Sequence, residues 1–272
     1  MFLITRRIQF GPATFLWDVS APDVARAARP GHFVMARIDE RGERIPLTVA
    51  DFNVEKGTVT VVIQAVGKTT NEMMLLRAGD TILDFIGPLG LPSHIRKLDG
   101  TVVLVGGGLG VAPIYPQLRA YKEMGNRTIS IIGFRNTGLA FWEDQFRQYS
   151  DELIVMTDDG SSGRQGFVTH GLTGVLTDRA AEIKEVVAIG PIPMMKACCD
   201  VTRPYKIPTI VSLNSIMVDG TGMCGSCRVT VGGEMKFACV DGADFDGHLV
   251  NFDELNLRQK RFAREEQAAM ER

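Results

Sequence analysis

The sequence is poor in the rings that stack on sugars and bases. Two Trp and four Tyr in 272 residues argue against an aromatic-rich carbohydrate or single-strand binding surface. It has no charge of one sign to spare either, because 30 Lys and Arg nearly cancel 32 Asp and Glu and leave a formal net charge of -2. No basic cluster is long enough to follow a phosphate backbone, so nucleic acid is not an expected partner. The longest apolar runs fall far short of the ~20 residues that span a bilayer, and no membrane is expected. The start, Met1 to Arg7, places its apolar residues before its basic ones and is too short for a signal-peptide core. Cysteine is missing outside positions 198 to 239, where an odd number, five, is gathered. That fits a reduced compartment and a local metal site better than a disulfide framework, so a soluble, cytoplasmic protein is expected.

What is present is ordinary globular material, with 45% apolar and 23% charged residues. The length is about 1.8 times a ~150-residue domain, which points to two domains, or two and an appendage. Over 1–97, β-branched and aromatic residues gather in short runs (14–20, 32–38, 58–66, 81–86) separated by turn residues, and predict a small antiparallel barrel. One helical patch, 71–77, interrupts it, with Met73 and Met74 read as core filler. Over 98–211, strands at 101–105, 128–133, 153–157, 186–189 and 209–211 alternate with helices at 112–124, 141–149, 170–183 and 193–201. Such alternation implies α/β architecture, a doubly wound parallel sheet with its ligand outside the carboxyl ends of the strands. The remainder, 212–272, is a glycine- and cysteine-rich segment followed by a terminal helix from about Leu255. Cys198 and Cys199 fall on the apolar stretch of a helix and read as packing residues.

The most specific signal is Asp219-Gly-Thr-Gly-Met-Cys224-Gly-Ser-Cys227, with Cys239 following, which is D-x4-C-x2-C-x11-C. This is the C-x4-C-x2-C…C spacing of a [2Fe–2S] site with aspartate in the first place. Gly220, Gly222 and Gly225 suit a chain wrapped tightly around a cluster. A zinc ribbon, and with it a zinc-bearing, non-enzymatic binding module, is the alternative for the thiols; an ordinary Asp-Gly turn is the alternative for Asp219. A second signal is Val102 to Pro113, a buried strand, the turn Gly106-Gly107-Gly108-Leu-Gly110, then Ala112 and Pro113 at a helix start. Such a turn lets backbone approach a pyrophosphate, although Val111 stands where the third glycine of G-x-G-x-x-G would be. Phe134 and Arg135, Asp158, Asp159 and Gly160, and Gly190, Pro191 and Met194 close later strands where the crevice belongs. In the barrel, Arg44-Ile-Pro46-Leu47-Thr48 lies on a strand, and Gln64-Ala-Val66-Gly67-Lys68-Thr69-Thr70 runs from a strand into the helical patch. A guanidinium and helix-start amides both favour phosphate oxygen.

Taken together, Arg-x-Pro-Leu-Thr, Gly-Lys-Thr-Thr, Gly-Gly-Gly-x-Gly-x-Ala-Pro and the cysteine segment resemble the ferredoxin-reductase-type electron-transfer subunits. Members include the electron-transfer subunit of dihydroorotate dehydrogenase and the small subunit of NADH-dependent reduced ferredoxin:NADP oxidoreductases, also called sulfide dehydrogenase small subunits. The resemblance is nearer to the latter, resting on residues 219–231 and 236–248. It implies FAD on the barrel, with Arg44 on a flavin phosphate, Pro46 to Thr48 along the isoalloxazine and Gly67 to Thr70 on the pyrophosphate. Plant-type reductases carry a stacking Tyr where Pro46-Leu47 stands. It also implies NAD(H) in the second domain and a [2Fe–2S] cluster on Asp219, Cys224, Cys227 and Cys239, where the dihydroorotate branch has four cysteines. Asp158 and Asp159 would disfavour a 2′-phosphate, whereas Arg135 pulls the other way. The expected activity is that of an NAD(P)H-dependent iron–sulfur flavoprotein oxidoreductase subunit. Its expected partner is a larger flavin and [4Fe–4S] subunit, as in a bifurcating transhydrogenase; a dihydroorotate dehydrogenase or glutamate-synthase-like partner is the alternative.

Overall fold

A computed structural model describes residues 1–271. The chain forms two compact units: Met1–Pro92 with Asn214–Ala243 and the stretch from Asn251, and Ser93–Leu213 with Asp244–Val250. The cysteine-bearing segment therefore makes no third body. Among the described residues no helix is long and apolar enough to cross a membrane.

The first unit is built on seven antiparallel strands in the order β6-β1-β2-β5-β4-β3-β7. These are β1 (Phe2–Gln9), β2 (Thr14–Ser20), β3 (Phe33–Arg37), β4 (Ile45–Asn53), β5 (Thr58–Gln64), β6 (Thr81–Ile82) and β7 (Asp84–Leu89), with helices α1 (Pro22–Ala27) and α2 (Lys68–Leu75) between them. Period-two alternation turns Phe15, Trp17 and Val19 from β2 and Val59, Val61 and Ile63 from β5 into one core, closed by Leu47, Met73, Ile82 and Phe85. Met73 is core filler, as read. The run 81–86 is two strands, not one, because the chain turns at Leu83, whose amide donates to the Arg37 and Ile38 carbonyls. Strand β1, with Arg6 exposed and Arg7 half-buried over the Phe15 ring, has no counterpart in the sequence reading.

The second unit has the sheet order β11-β10-β9-β8-β12-β13-β16. Its strands are β8 (Thr101–Gly107), β9 (Arg127–Phe134), β10 (Glu152–Thr157), β11 (Arg164–Gln165), β12 (Ile183–Ile189) and β13 (Thr209–Ser212), all parallel, with β16 (Asp244–Asp246) antiparallel at the edge. Helices α3 (Val111–Glu123), α4 (Glu143–Tyr149), α5 (Val168–Arg179) and α6 (Ile192–Thr202) cross over between them. Buried β8 is apolar from Val102 to Val105 because a central parallel strand meets helices on both faces. Ile183, expected at a helix end, is instead the first residue of β12 and is buried. Cys198 and Cys199 are buried on α6, and burial pushes both thiols up to about 12.

Returning to the first unit, β14 (Arg228–Val231) and β15 (Glu234–Phe237) make a hairpin, followed by α7 (Ala238–Asp241), α8 (Phe252–Gln259) and α9 (Ala263–Met270). The hairpin turn is Gly232-Gly233, both at positive φ, which a two-residue turn between twisted strands requires. The tail is two helices and not one, with a break around Arg261; Arg272, included in the expected helix, lies outside the described residues.

Candidate iron–sulfur and nucleotide sites

The hairpin register pairs Arg228 with Phe237, so Cys227 just before it and Cys239 just after it are brought together. Their sulfurs lie 3.2 Å apart, and the Ala238 amide donates to the Cys227 carbonyl at 3.2 Å. Upstream, the Asp219 carboxylate accepts the Thr221 amide on one oxygen and the Cys224 amide on the other, each at 2.9 Å. These donors, Thr221 first, hold the Asp219 carboxyl below the usual carboxylate range. Hydrogen bonding from Ser226, whose amide reaches the Cys224 sulfur at 3.5 Å, lowers the Cys224 thiol. Burial and the neighbouring Cys227 thiol instead push Cys239 up to about 12. The loop folds tightly because Gly220 and Gly222 take φ of +75° and +83°, and a Cβ on Gly222 would sit 3.0 Å from Val240.

The four ligand candidates thus fall into two pairs, Asp219 with Cys224 and Cys227 with Cys239. Among the described residues no three His, Cys, Asp or Glu side chains close on one point, the convergence that a mononuclear zinc site demands. A two-iron centre divides four ligands between two metals, and a carboxylate with three thiols in pairs suits that division. Cys224 is exposed while Cys227 and Cys239 are buried, so one side of the loop opens to solvent. Met223, 89% exposed, and Val218 flank the open side.

In the barrel, the Thr70 hydroxyl accepts the Val66 and Gly67 amides at 3.0 Å each and donates to the Gly67 carbonyl at 3.1 Å. The Val66 and Gly67 amides are thereby taken up. The first-turn amides of Lys68, Thr69 and Thr70 remain without intrahelical acceptors, at the positive end of α2. Nothing lies within 4 Å of a Cβ built on Gly67, so space is open beside them. Thr69 is anchored to Glu43 at 3.1 Å, a contact the sequence does not announce. Arg44 precedes β4 and is exposed, with no ion pair to a carboxylate among the described residues. Leu47 faces the core at 7% exposure, so only its backbone is open on the outer face that Pro46 and Thr48 share. From Ile45 to Thr48, β4 pairs with β3 alone; its ladder to β5 begins at Val49, and Pro46, lacking an amide hydrogen, sits in that one-sided stretch. Gln64 ends β5 with its side chain exposed.

In the second unit the strand order reverses beside β8, with β9 on one flank and β12 on the other, which is a topological switch point. β8 ends at Gly107, the turn after it holds Gly108 and Gly110, and Ala112 and Pro113 lie in the first turn of α3; Gly190 and Pro191 follow β12, and Met194 lies in the first turn of α6. The two turns touch. A Cβ on Gly107 would stand 2.2 Å from the Met194 sulfur, and one on Gly110 would stand 2.1 Å from the Ile189 carbonyl oxygen. At Gly110 the obstacle is backbone and only glycine fits, whereas at Gly107 the Met194 side chain would have to move aside. Gly108, at φ +55°, has open space above it. Phe134 ends β9 buried, and Arg135, Asp158, Asp159 and Gly160 follow β9 and β10 exposed at the same strand ends. Asp159 is held by Ser161, whose hydroxyl first and then its amide at 2.9 Å lower the carboxyl, and the Ser161 hydroxyl accepts the Thr137 amide at 2.8 Å.

An antiparallel barrel unit and a doubly wound unit define the ferredoxin-reductase-like class of folds. Comparison with known proteins narrows the class. A family model described as the iron–sulfur cluster binding domain of dihydroorotate dehydrogenase B matches residues 214–251. A dihydroorotate dehydrogenase B (NAD(+)) electron transfer subunit homolog from Thermotoga maritima is 47% identical over 269 residues, covering 99% of this chain and 94% of that one. A dihydroorotate dehydrogenase B (NAD(+)) electron transfer subunit from Shouchella clausii is 34% identical, covering 82% and 86%. A structure of NADH-dependent reduced ferredoxin-NADP oxidoreductase, studied for flavin-based electron bifurcation, superposes at a TM-score of 0.94 with 45% identity over 100% of this chain and 97% of that one. The chain belongs to the family of dihydroorotate dehydrogenase B electron transfer subunits and their homologs.

Proposed function

We propose that this chain is an electron-transfer subunit that takes electrons from NADH and delivers them, through FAD and a [2Fe–2S] cluster, to a larger flavin and [4Fe–4S] partner. The observation that carries the reading is the paired ligand set, Asp219 with Cys224 and Cys227 with Cys239, on a chain that also has a ferredoxin-reductase-like barrel and switch-point crevice. A flavin supplies the change from two-electron hydride chemistry to the single-electron steps of an iron–sulfur centre.

The protein's work is then to bind and orient. Arg44 and the Lys68, Thr69 and Thr70 amides hold the flavin diphosphate, with Gln64, Val66 and Gly67 shaping its approach and Pro46, Leu47 and Thr48 lying along the ring system. Gly107, Gly108, Gly110, Ala112 and Pro113, with Gly190, Pro191 and Met194 opposite, receive the nicotinamide dinucleotide. Phe134, Arg135 and Gly160 border it, and Asp158 and Asp159 repel a 2′-phosphate. The exposed side of the cysteine loop, with Met223 and Val218 beside Cys224, supports an exit toward a partner. Cysteine usage supports a cytoplasmic setting. Aspartate in the first ligand place, together with the 45% identity over the whole chain, favours a bifurcating ferredoxin:NADP-type partner over a dihydroorotate dehydrogenase.

Anaerobic isolation followed by iron, acid-labile sulfide and flavin analysis tests the cofactor reading. One FAD and one two-iron cluster per chain are expected, and stoichiometric zinc without sulfide would overturn it. Isolation of the native complex, with identification of the second chain, tests the partner.

A further inference from the structure

Arg258, in the last turn of α8, is half-buried and reaches the cysteine loop: its Nη2 donates to the Ser226 carbonyl oxygen at 3.3 Å. Ser226 stands between Cys224 and Cys227, and its own amide points at the Cys224 sulfur. The Arg258 Nε is covered by protein and has no acceptor, and Arg258 forms no ion pair with a carboxylate among the described residues. Arg7 on β1 likewise has a covered Nε without an acceptor, whereas two other partly covered arginines are paired with carboxylates. Arg37 meets Asp84 at 2.6 Å, and Arg179 meets Glu152 at 2.7 Å. A guanidinium does not give up its proton, and a charge held against protein without a counter-ion is costly. The loop that Arg258 touches carries Asp219, Cys224 and Cys227, and Cys239 of α7 stands against Cys227 at 3.2 Å; as iron ligands these are four anions.

We propose that Arg258 is a positioning residue that balances the charge of the two-iron site and raises its reduction potential; this rests on the cluster reading above. The site is negative in both oxidation states and gains one further negative charge on reduction. A fixed cation beside the loop therefore stabilises the reduced form more than the oxidised form. The contact works through the backbone as well. The Ser226 carbonyl and the Cys227 amide belong to one peptide group, so a cation on the oxygen strengthens that N–H as a donor. The next residue, Gln259, provides the comparison: its Nε2 donates to the Asn214 carbonyl, clasping the start of the same segment without charge.

The test is an EPR-monitored redox titration of the full chain, isolated anaerobically with its cluster, for wild type, Arg258→Gln, Arg258→Lys and Gln259→Ala, with iron and sulfide counted in each. Arg258→Gln should lower the midpoint by the equivalent of about tenfold in the one-electron equilibrium constant, ~59 mV. Arg258→Lys should keep most of the wild-type value, and Gln259→Ala should leave it in place. A full cluster with an unchanged midpoint in Arg258→Gln, or equal falls in Arg258→Gln and Gln259→Ala, overturns the proposal. If Arg258→Gln does not retain its cluster, Arg258→Lys decides: a wild-type midpoint supports the charge role and a tenfold-equivalent fall overturns it. A wild-type chain without acid-labile sulfide would instead overturn the cluster reading itself, an outcome distinct from either.

Discussion

On the proposed reading Asp219 serves two tasks. Its oxygens already organise the loop by accepting the Thr221 and Cys224 amides, and a carboxylate is a harder, less covalent donor to iron than a thiolate. Asp219→Cys should therefore keep a two-iron cluster with a changed EPR signal and midpoint. Asp219→Ala should leave a labile or water-ligated cluster; an unchanged spectrum and potential in that variant would remove Asp219 from the ligand set. Asp159 is a second residue whose charge is separable from its backbone role. Asp159→Asn keeps an acceptor for the Ser161 amide while deleting the charge, so the preference for NADH over NADPH should fall by about tenfold. Stopped-flow reduction by each nucleotide checks this, and an unaltered ratio would place Asp159 away from the ribose. Asp219 stood out as a candidate from its spacing, because it and the three cysteines lie within one short stretch. Arg258 and Glu43 were not, since what distinguishes each is a contact with a residue 32 or 26 positions away.

Among elements, α2 is the one whose start matters most. Arg7 from β1 donates to the Met74 carbonyl at 3.0 Å, placing a cation at the helix's negative end while Thr70 secures the other. Thr70→Ala removes that cap, which should cost about 1 kcal/mol of stability and loosen FAD retention, measured by melting and by flavin released on dialysis. Retention equal to wild type would show that the first-turn amides do not hold the diphosphate. The edge strand β16 carries a different dependence. Asp244 is half-buried with one carboxylate oxygen covered, and the other accepts from Ser93 at 2.6 Å and Gln117 at 3.4 Å. Burial, reinforced by the charge of nearby Glu185, raises its carboxyl, while the Ser93, Ser212 and Gln117 hydrogen bonds pull the other way. Glu185 itself is engaged by Arg96 at 3.1 Å and by the Tyr121 hydroxyl. A carboxyl raised in the fold contributes stability that is whole below its unfolded value and is lost as pH rises through the raised one. Asp244→Asn should flatten that loss, seen as melting temperatures that fall less as pH rises above the ordinary carboxylate range. Equal slopes in the two proteins would mean that Asp244 is already ionised. The sequence reading ended regular structure at Val211 and passed over β16, because three residues carry no periodicity; antiparallel pairing with β13 alone defines the strand.

For the whole molecule, alternating β and α segments were legible because both periods are local, and their alternation implied a doubly wound parallel sheet, while the order of its strands came only from the structure. The membership of 214–243 in the barrel unit was not, since it depends on pairings such as Leu91 with Gly242. A chain ending at Leu213 would lack β16 and expose the β13 ladder, and it should aggregate where the full chain stays dispersed, as light scattering would show; a monodisperse fragment would mean the β13 edge needs no cover. The thread that leaves the barrel unit at Ala243, supplies β16 and returns at Asn251 has a consequence for synthesis on the ribosome. Neither unit can be completed from the first 213 residues, so both await the same late stretch of the message. A nascent chain stalled before Val250 presents two unfinished folds and one open sheet edge, the circumstance in which a chaperone has most to hold.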